Sequence, residues 1–268
     1  MAKMRVNLLG KLLWKTTFYP FASLLALFLA WEFLVGILQV PAYLIPAPTD
    51  IITALVQNAG LLLKHAGPSA VEAGLGFLLS VGAGIPLAIL TVAYPRFRKT
   101  VMPFLISSQV VPKVAIAPLL LIWFGFGITS KVLIVFMMAF FPIFIAMISG
   151  LQAVEPDMLN LMLSMRPTKI QVFTKLRIPN SLPYLIDGLK LAVTRSVIAA
   201  IVAEWISSNE GLGYLILYAD ARSNSPLMFS IICVLAVIGL IFFMLVAGIG
   251  KTLVPWYYAM RKTEVVRN

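Results

Sequence analysis

The chain has 268 residues, 61% of them hydrophobic and 12% charged, with a mean hydropathy of +0.98 and a formal net charge of +11. Soluble domains run at about 45–50% apolar and about 25% charged, so this composition excludes a water-soluble fold. The basic residues are scattered among apolar runs, which excludes a soluble nucleic-acid-binding domain; one cysteine with one histidine excludes a disulfide framework and a Cys- or His-rich metal centre, and argues against a Ser-His-Asp triad inside the membrane.

A bilayer core of roughly 30 Å takes about 20 apolar residues per helix. The first such run covers residues 18–38 behind Lys3, Arg5, Lys11 and Lys15. It is longer than a signal-peptide core and no A-x-A-like site follows, so a retained helix is expected. Glu32 within it is expected to face a neighbouring helix. Prolines 41, 46 and 48 stiffen the next connection, where Thr49 or Asp50 is expected to cap a short interfacial helix beginning near Ile51. His65 reads as a polar residue of an exposed loop. The second run covers 71–94, and its Gly74, Gly76, Gly82 and Gly84 point to close helix packing.

The third run covers 101–124 and contains Lys113, one residue after Pro112; the fourth covers 132–150. A basic connection follows from Gln152 to Pro183. Pro167 suits a first helical position, with Ile170, Phe173 and Leu176 on an apolar face opposite Lys169, Gln171 and Lys175. Ile178-Pro179 is expected to stop that amphipathic helix, and Asn180 or Ser181 to cap the fifth run, 182–206. On the fifth run, Asp187 and Lys190 have the i,i+3 spacing of a local pair, and structural pairing is expected for Arg195 as well. Lys113 and Glu204 are candidates to line a translocation pathway, because ionisable groups inside membrane spans are functional by default. The sixth run covers 227–250. Gly250-Lys251-Thr252 at its end lacks the earlier glycine of a phosphate-binding loop.

Orientation follows from the loops. Fifteen Lys and Arg residues lie before the first run, between the second and third, between the fourth and fifth, and after the sixth. The alternate connections hold only Lys64, Lys131 and Arg222. By the positive-inside rule both termini are cytoplasmic, which an even count of six satisfies. The expected architecture is an all-α membrane protein: one transmembrane domain over residues 1–268, about six helices, and an amphipathic cytoplasmic helix between the fourth and fifth.

Several strings occur in the order found in one transporter family. They are Leu44-Ile45-Pro46-Ala47-Pro48, residues 111–120 (VPKVAIAPLL), Trp123-Phe124-Gly125-Phe126-Gly127, Ile178-Pro179-Asn180-Ser181-Leu182-Pro183, Gly188-Leu189-Lys190, Ala203-Glu204 and residues 211–216 (GLGYLI). The chain thereby resembles the permeases of type I ATP-binding-cassette importers, in the branch for sulfonates, taurine, nitrate, riboflavin and pyrimidine precursors of thiamine. Residues 111–118 lean toward the thiamine-precursor and riboflavin members.

The resemblance implies a non-enzymatic transport subunit in the bacterial inner membrane, with no cofactor of its own. Its implied partners are separate ATPase subunits that use ATP, a second permease copy, identical or not, an extracytoplasmic solute-binding protein, and membrane lipid. It also implies that the loop between the fourth and fifth spans docks on the ATPase through a Glu-Ala-Ala, three residues, Gly motif. Counted back from Pro179, the Glu-Ala-Ala positions fall on Asn160, Leu161 and Met162 and the glycine position on Arg166, so the first half of the motif is altered. Arg166, Pro167, Lys169, Ile170, Phe173, Leu176 and Pro179 complete the implied coupling segment. Three rivals stand beside this reading: an ion-coupled secondary transporter, which needs ionisable residues near the midplane, a membrane-embedded enzyme, which needs a convergent nucleophile and base, and a pure assembly protein without transport.

Overall fold

The computed structural model describes Tyr19 and residues 22–257, and every regular element among them is helical. In chain order these are α1 (Ala22–Ile37), α2 (Pro48–Gln57), α3 (Ala59–Ala93), α4 (Pro95–Val110), α5 (Lys113–Phe124), α6 (Ile128–Gln152), α7 (Pro156–Ser164) and α8 (Lys169–Val172). A π-helical turn (Phe173–Arg177) joins α8 to α9 (Ile178–Ser207), followed by α10 (Leu212–Asp220) and α11 (Ser225–Leu253). Three helices, α3, α6 and α11, are long and apolar enough to cross a membrane, and α4 with α5 forms a fourth such segment if the bent pair is counted as one. The N-terminal basic cluster and Arg261, Lys262 and Arg267, on which the orientation partly rests, lie outside the described residues.

The chain divides into two compact units, Met1–Leu62 with Tyr218–Ile232, and Leu63–Leu217 with Cys233–Asn268. In the first, Glu32 of α1 accepts from Thr49 N (3.1 Å) and Thr49 Oγ1 (2.7 Å), so a carboxylate inside an apolar helix satisfies donors at the start of α2. That helix starts at Pro48, three residues earlier than expected, because proline at N1 has no N–H to satisfy and Asp50 reaches back to accept from Ala47 N at 3.2 Å. Ser225 Oγ donates to Tyr43 O (2.5 Å) and Ser230 Oγ to Ile51 O (2.9 Å), while Trp31 packs on Phe229 with centroids 6.0 Å apart.

The second unit is built on α6. Phe140, Ile143, Phe144, Met147 and Leu151 from α6 form a buried core with Ala88 of α3 and Leu185 and Ala192 of α9. Small residues set the approach of α9 to α6: a Cβ on Gly150 would lie 2.7 Å from Ser181 Cα, and one on Gly188 would lie 2.9 Å from Pro142 O. On α3, Gly76 lies against Val135 and Gly84 against Ile143, whereas no atom lies within 4 Å of a Cβ built on Gly82.

The expected third span, 101–124, is two helices bent by 101°. Proline excludes its predecessor from the α region, and Val111 accordingly takes φ −71° and ψ 124°. The second run extends back to Ala59, because Lys64, His65 and Pro68 are accommodated in one continuous helix.

Candidate functional site

Three places hold the residues singled out in the sequence. The first is the connection from α6 to α9. Pro156 opens α7 and Ser164 Oγ closes it by donating to Leu161 O at 2.6 Å. Arg166 then takes φ +52°, the left-handed conformation in which glycine is unstrained, and Pro167 prevents the helix from resuming. Thr168 caps α8: Gln171 N donates to Thr168 Oγ1 (3.2 Å), and the Gln171 side chain accepts from Thr168 N (2.8 Å). The helix therefore begins at Lys169, and Pro167 precedes it.

Nor does it stop at Ile178-Pro179. Ile178 N donates to Phe173 O in a π turn, and the chain runs on into α9 with Pro179 in its opening turn. The widened turn makes room for a pyrrolidine ring that a straight α-helix would exclude. Asn180 does not cap α9; its Nδ2 donates to Gly150 O at 3.0 Å, while Ser181 Oγ bonds Ile178 O within the helix.

The apolar residues of this segment divide between two surfaces. Leu161, Met165 and Ile170 are 70%, 77% and 74% exposed. Phe173 is half-buried against the α6 core, with the Arg177 guanidinium 5.9 Å from its ring centroid, and Leu176 is half-buried too. Asn160, Arg166 and Lys169 are exposed, and Met162 and Pro167 half-buried. Ile170, Phe173 and Leu176 thus do not form one outward face, because the bundle claims Phe173.

The second place surrounds Glu204, which is 1% exposed. Its carboxylate accepts from Ser69 Oγ (2.5 Å) and Gly213 N (2.5 Å), and Leu212 N donates to Ser69 Oγ (2.8 Å). Gly211 makes the turn at φ +102° and its N–H donates to His65 Nδ1 at 3.1 Å. His65 is therefore buried within α3, stacked on Tyr214 at 6.0 Å, and is not the exposed loop residue its polarity suggested. Glu204 holds the α9–α10 turn against α3. Glu204→Ala leaves Ser69 and Gly213 donors buried without their acceptor, at a cost of about 3 kcal/mol. A lowered melting temperature in detergent is the expected readout, and an unchanged one contradicts the assignment.

Close by is an ion pair that sequence reasoning missed. Lys131 Nζ, in the first turn of α6, bonds Glu72 Oε1 of α3 and donates to Ser208 Oγ at 3.0 Å; the two side chains are 7% and 3% exposed. The pair forms one wall of a cavity of about 750 Å³ whose lining includes Phe126, Ser207, Asn209 and Glu210.

The third place contains Lys113, at the first position of α5 just beyond the bend. Its Nζ lies 5.4 Å from the Phe141 ring centroid. A cavity of about 180 Å³ brings it together with Gln109, Met138, Phe141, Arg195 and Ile198. A neighbouring cavity of about 480 Å³ shares Gln109, Phe141 and Arg195 and extends to Tyr184 and Asp187. Lys190 Nζ bonds Asp187 Oδ1 at 3.0 Å, the expected i,i+3 pair, but Arg195 is exposed and has no ion pair among the described residues. Lys113 and Glu204 belong to different surroundings.

Residues 80–254 match the family model for the binding-protein-dependent transport system inner membrane component. The chain belongs to this permease family. The permease is 33% identical over 238 residues to the formylaminopyrimidine transport permease protein ThiX of Halalkalibacterium halodurans, covering 88% of this chain and 95% of that one. It is 30% identical to the putative aliphatic sulfonates transport permease protein SsuC of Bacillus subtilis (84% and 83% covered), and 29% identical to the riboflavin transport system permease protein RibX of Chloroflexus aurantiacus (94% of each). Its fold is similar to a chain of the inward-facing MetNI methionine transporter, at a TM-score of 0.63 and 15% identity over 73% of this chain and 97% of that one. The permease is thus a multi-pass component of the inner membrane.

Within this permease, Arg166 stands at the position assigned to the family's glycine and takes a backbone conformation that glycine favours. A non-glycine residue there is strained by about 1–2 kcal/mol.

Proposed function

We propose that this chain forms the translocation pathway of an ATP-binding-cassette importer for a small organic solute or anion. It would cross the membrane six times, by α1, α3, the α4–α5 pair, α6, α9 and α11, with both termini cytoplasmic. Two permease copies enclose the pathway, and an extracytoplasmic binding protein delivers solute from outside. The permease carries out no covalent chemistry; ATP is used by separate ATPase subunits. ATP-driven closure of the ATPases favours the outward-facing arrangement, which requires differential binding of a few kcal/mol between the two states.

The observation that carries this reading is the α7–α8 connection, with Arg166 at φ +52° and Leu161, Met165 and Ile170 exposed on and between two short helices. An exposed apolar cluster of this kind suits a groove on a partner better than it suits water. The π turn leads from it without a break into α9, a continuous lever into the membrane. Names carried by the relatives support a thiamine-precursor, riboflavin or sulfonate solute, with residues 111–118 leaning to the first two. No relative lends support to the ion-coupled alternative.

A cysteine at Ile170, in a Cys233→Ser background, is expected to cross-link to the ATPase subunit through a short bifunctional reagent. If the ATPase co-purifies yet cross-links only from other surfaces, the docking assignment fails.

A further inference from the structure

We propose that Lys113, Arg195 and Gln109 form a site for an anionic group, a sulfonate or a carboxylate, of the transported solute. The proposal rests on the pathway reading above and selects its anionic solutes, such as a sulfonate, over the thiamine-precursor and riboflavin solutes toward which residues 111–118 lean. Two cations and an amide converge on one cavity, and among the described residues neither cation has a carboxylate partner. The nearest acid on the shared wall, Asp187, is already bound by Lys190 and lies two turns along α9 from Arg195.

Arg195 is about 26 Å along α9 from Ile178 and about 18 Å from Ser207, at a helical rise of about 1.5 Å per residue, so it sits far from either end. A guanidinium at that depth facing lipid is costly, whereas one facing a cavity beside a second cation suits an anion. The lining also suits an organic anion: Phe141, Met138 and Ile198 supply an apolar wall, and Phe141 holds the Lys113 ammonium over its face. The broken span adds to the same field, because the positive end of α5 begins at Lys113 and the Pro112 N-cap offers no side-chain acceptor to it. The larger cavity beside Glu72 and Lys131 has charges of both signs and makes no such selection.

The test is thiol labelling of Ile198→Cys in a Cys233→Ser background, using the permease–ATPase complex in phosphatidylcholine nanodiscs. The probes are anionic 2-sulfonatoethyl methanethiosulfonate and its cationic trimethylammonium analogue, each referred to its rate with free thiol. The anionic reagent is expected to react at least about tenfold faster, and sodium ethanesulfonate to slow it. Lys113→Gln with Arg195→Gln should remove the preference, and Lys113→Arg with Arg195→Lys should keep it. Equal rates, no labelling, or a preference that survives the neutral pair overturns the proposal. So does slowing by phosphatidylglycerol in the discs but not by ethanesulfonate, which assigns the site to a lipid headgroup. Co-purification of the ATPase is read on the same samples, so a failed pathway reading and a failed anion site give different results.

Discussion

Lys131→Met is expected to destabilise the purified permease by about 3–5 kcal/mol, because it strands the Glu72 carboxylate in a site where 3% of the side chain is exposed. The cost comes from leaving a buried charge without a partner rather than from the net worth of the pair. Replacing both residues, Glu72→Leu with Lys131→Met, is therefore expected to recover most of the loss. Thermal unfolding in detergent reads the series, with Ser208→Ala as a milder control that removes only the 3.0 Å hydrogen bond to Lys131. A Lys131→Met protein as stable as the parent would show that the pair does not hold α3 to α6. A double variant as weak as the single one would show that packing, and not charge, is what the site requires.

Leu161→Glu combined with Ile170→Glu is expected to abolish co-purification of the ATPase while leaving the permease folded. Both side chains are more than two-thirds exposed, so charging them costs the isolated subunit little, whereas a carboxylate pressed into an apolar socket remains unpaired. Loss of two well-seated apolar anchors amounts to about 2 kcal/mol or more each, a fall in affinity of several hundredfold or greater. Phe173→Glu is expected to behave differently: it places a charge against the buried core built on α6 and lowers stability before it affects docking. Arg166→Gly should relieve the left-handed strain at φ +52° and raise stability by about 1 kcal/mol. Intact assembly of the double glutamate variant would remove Leu161 and Ile170 from the interface.

Much of the fold is legible in the amino-acid order, and the failures have particular causes. The fourth run, 132–150, lies within α6 because its apolar residues continue without a break; Pro142 is absorbed where neighbouring helices enclose the chain. The third run is also long and apolar enough to read as one span but contains Val111-Pro112, and averaged hydropathy passes over a dipeptide whose sterics set a 101° bend. At Ile178-Pro179 the same steric rule misleads, since a π turn accommodates the proline and the helix continues. Neither outcome is decided by the dipeptide alone.

The candidate site was less legible. Ile170 and Phe173 share a face on a helical wheel, yet tertiary packing assigns Phe173 to the core and leaves Ile170 outside. Periodicity identifies an amphipathic segment but not which partner takes which residue. Lys131 reads as a loop cation because it follows Gly127 and Ser130 just before the fourth run, and its acid lies 59 residues away. The only trace of the pair in the sequence is a lone acid, Glu72, in the second apolar run and a lone base, Lys131, one residue before the fourth. Arg195 was expected to be paired locally; the nearby Asp187 is instead taken by Lys190, which leaves Arg195 to the cavity.

The central claim, that this permease passes solute under the control of a separate ATPase, is tested most directly by uptake into proteoliposomes. The vesicles would contain the permease and its ATPase, with the cognate binding protein and its bound solute supplied on the face opposite the ATPase. The account predicts that solute accumulates only when ATP and the binding protein are both present, and that Leu161→Glu with Ile170→Glu abolishes uptake. Accumulation driven by an ion gradient in vesicles lacking the ATPase would contradict it.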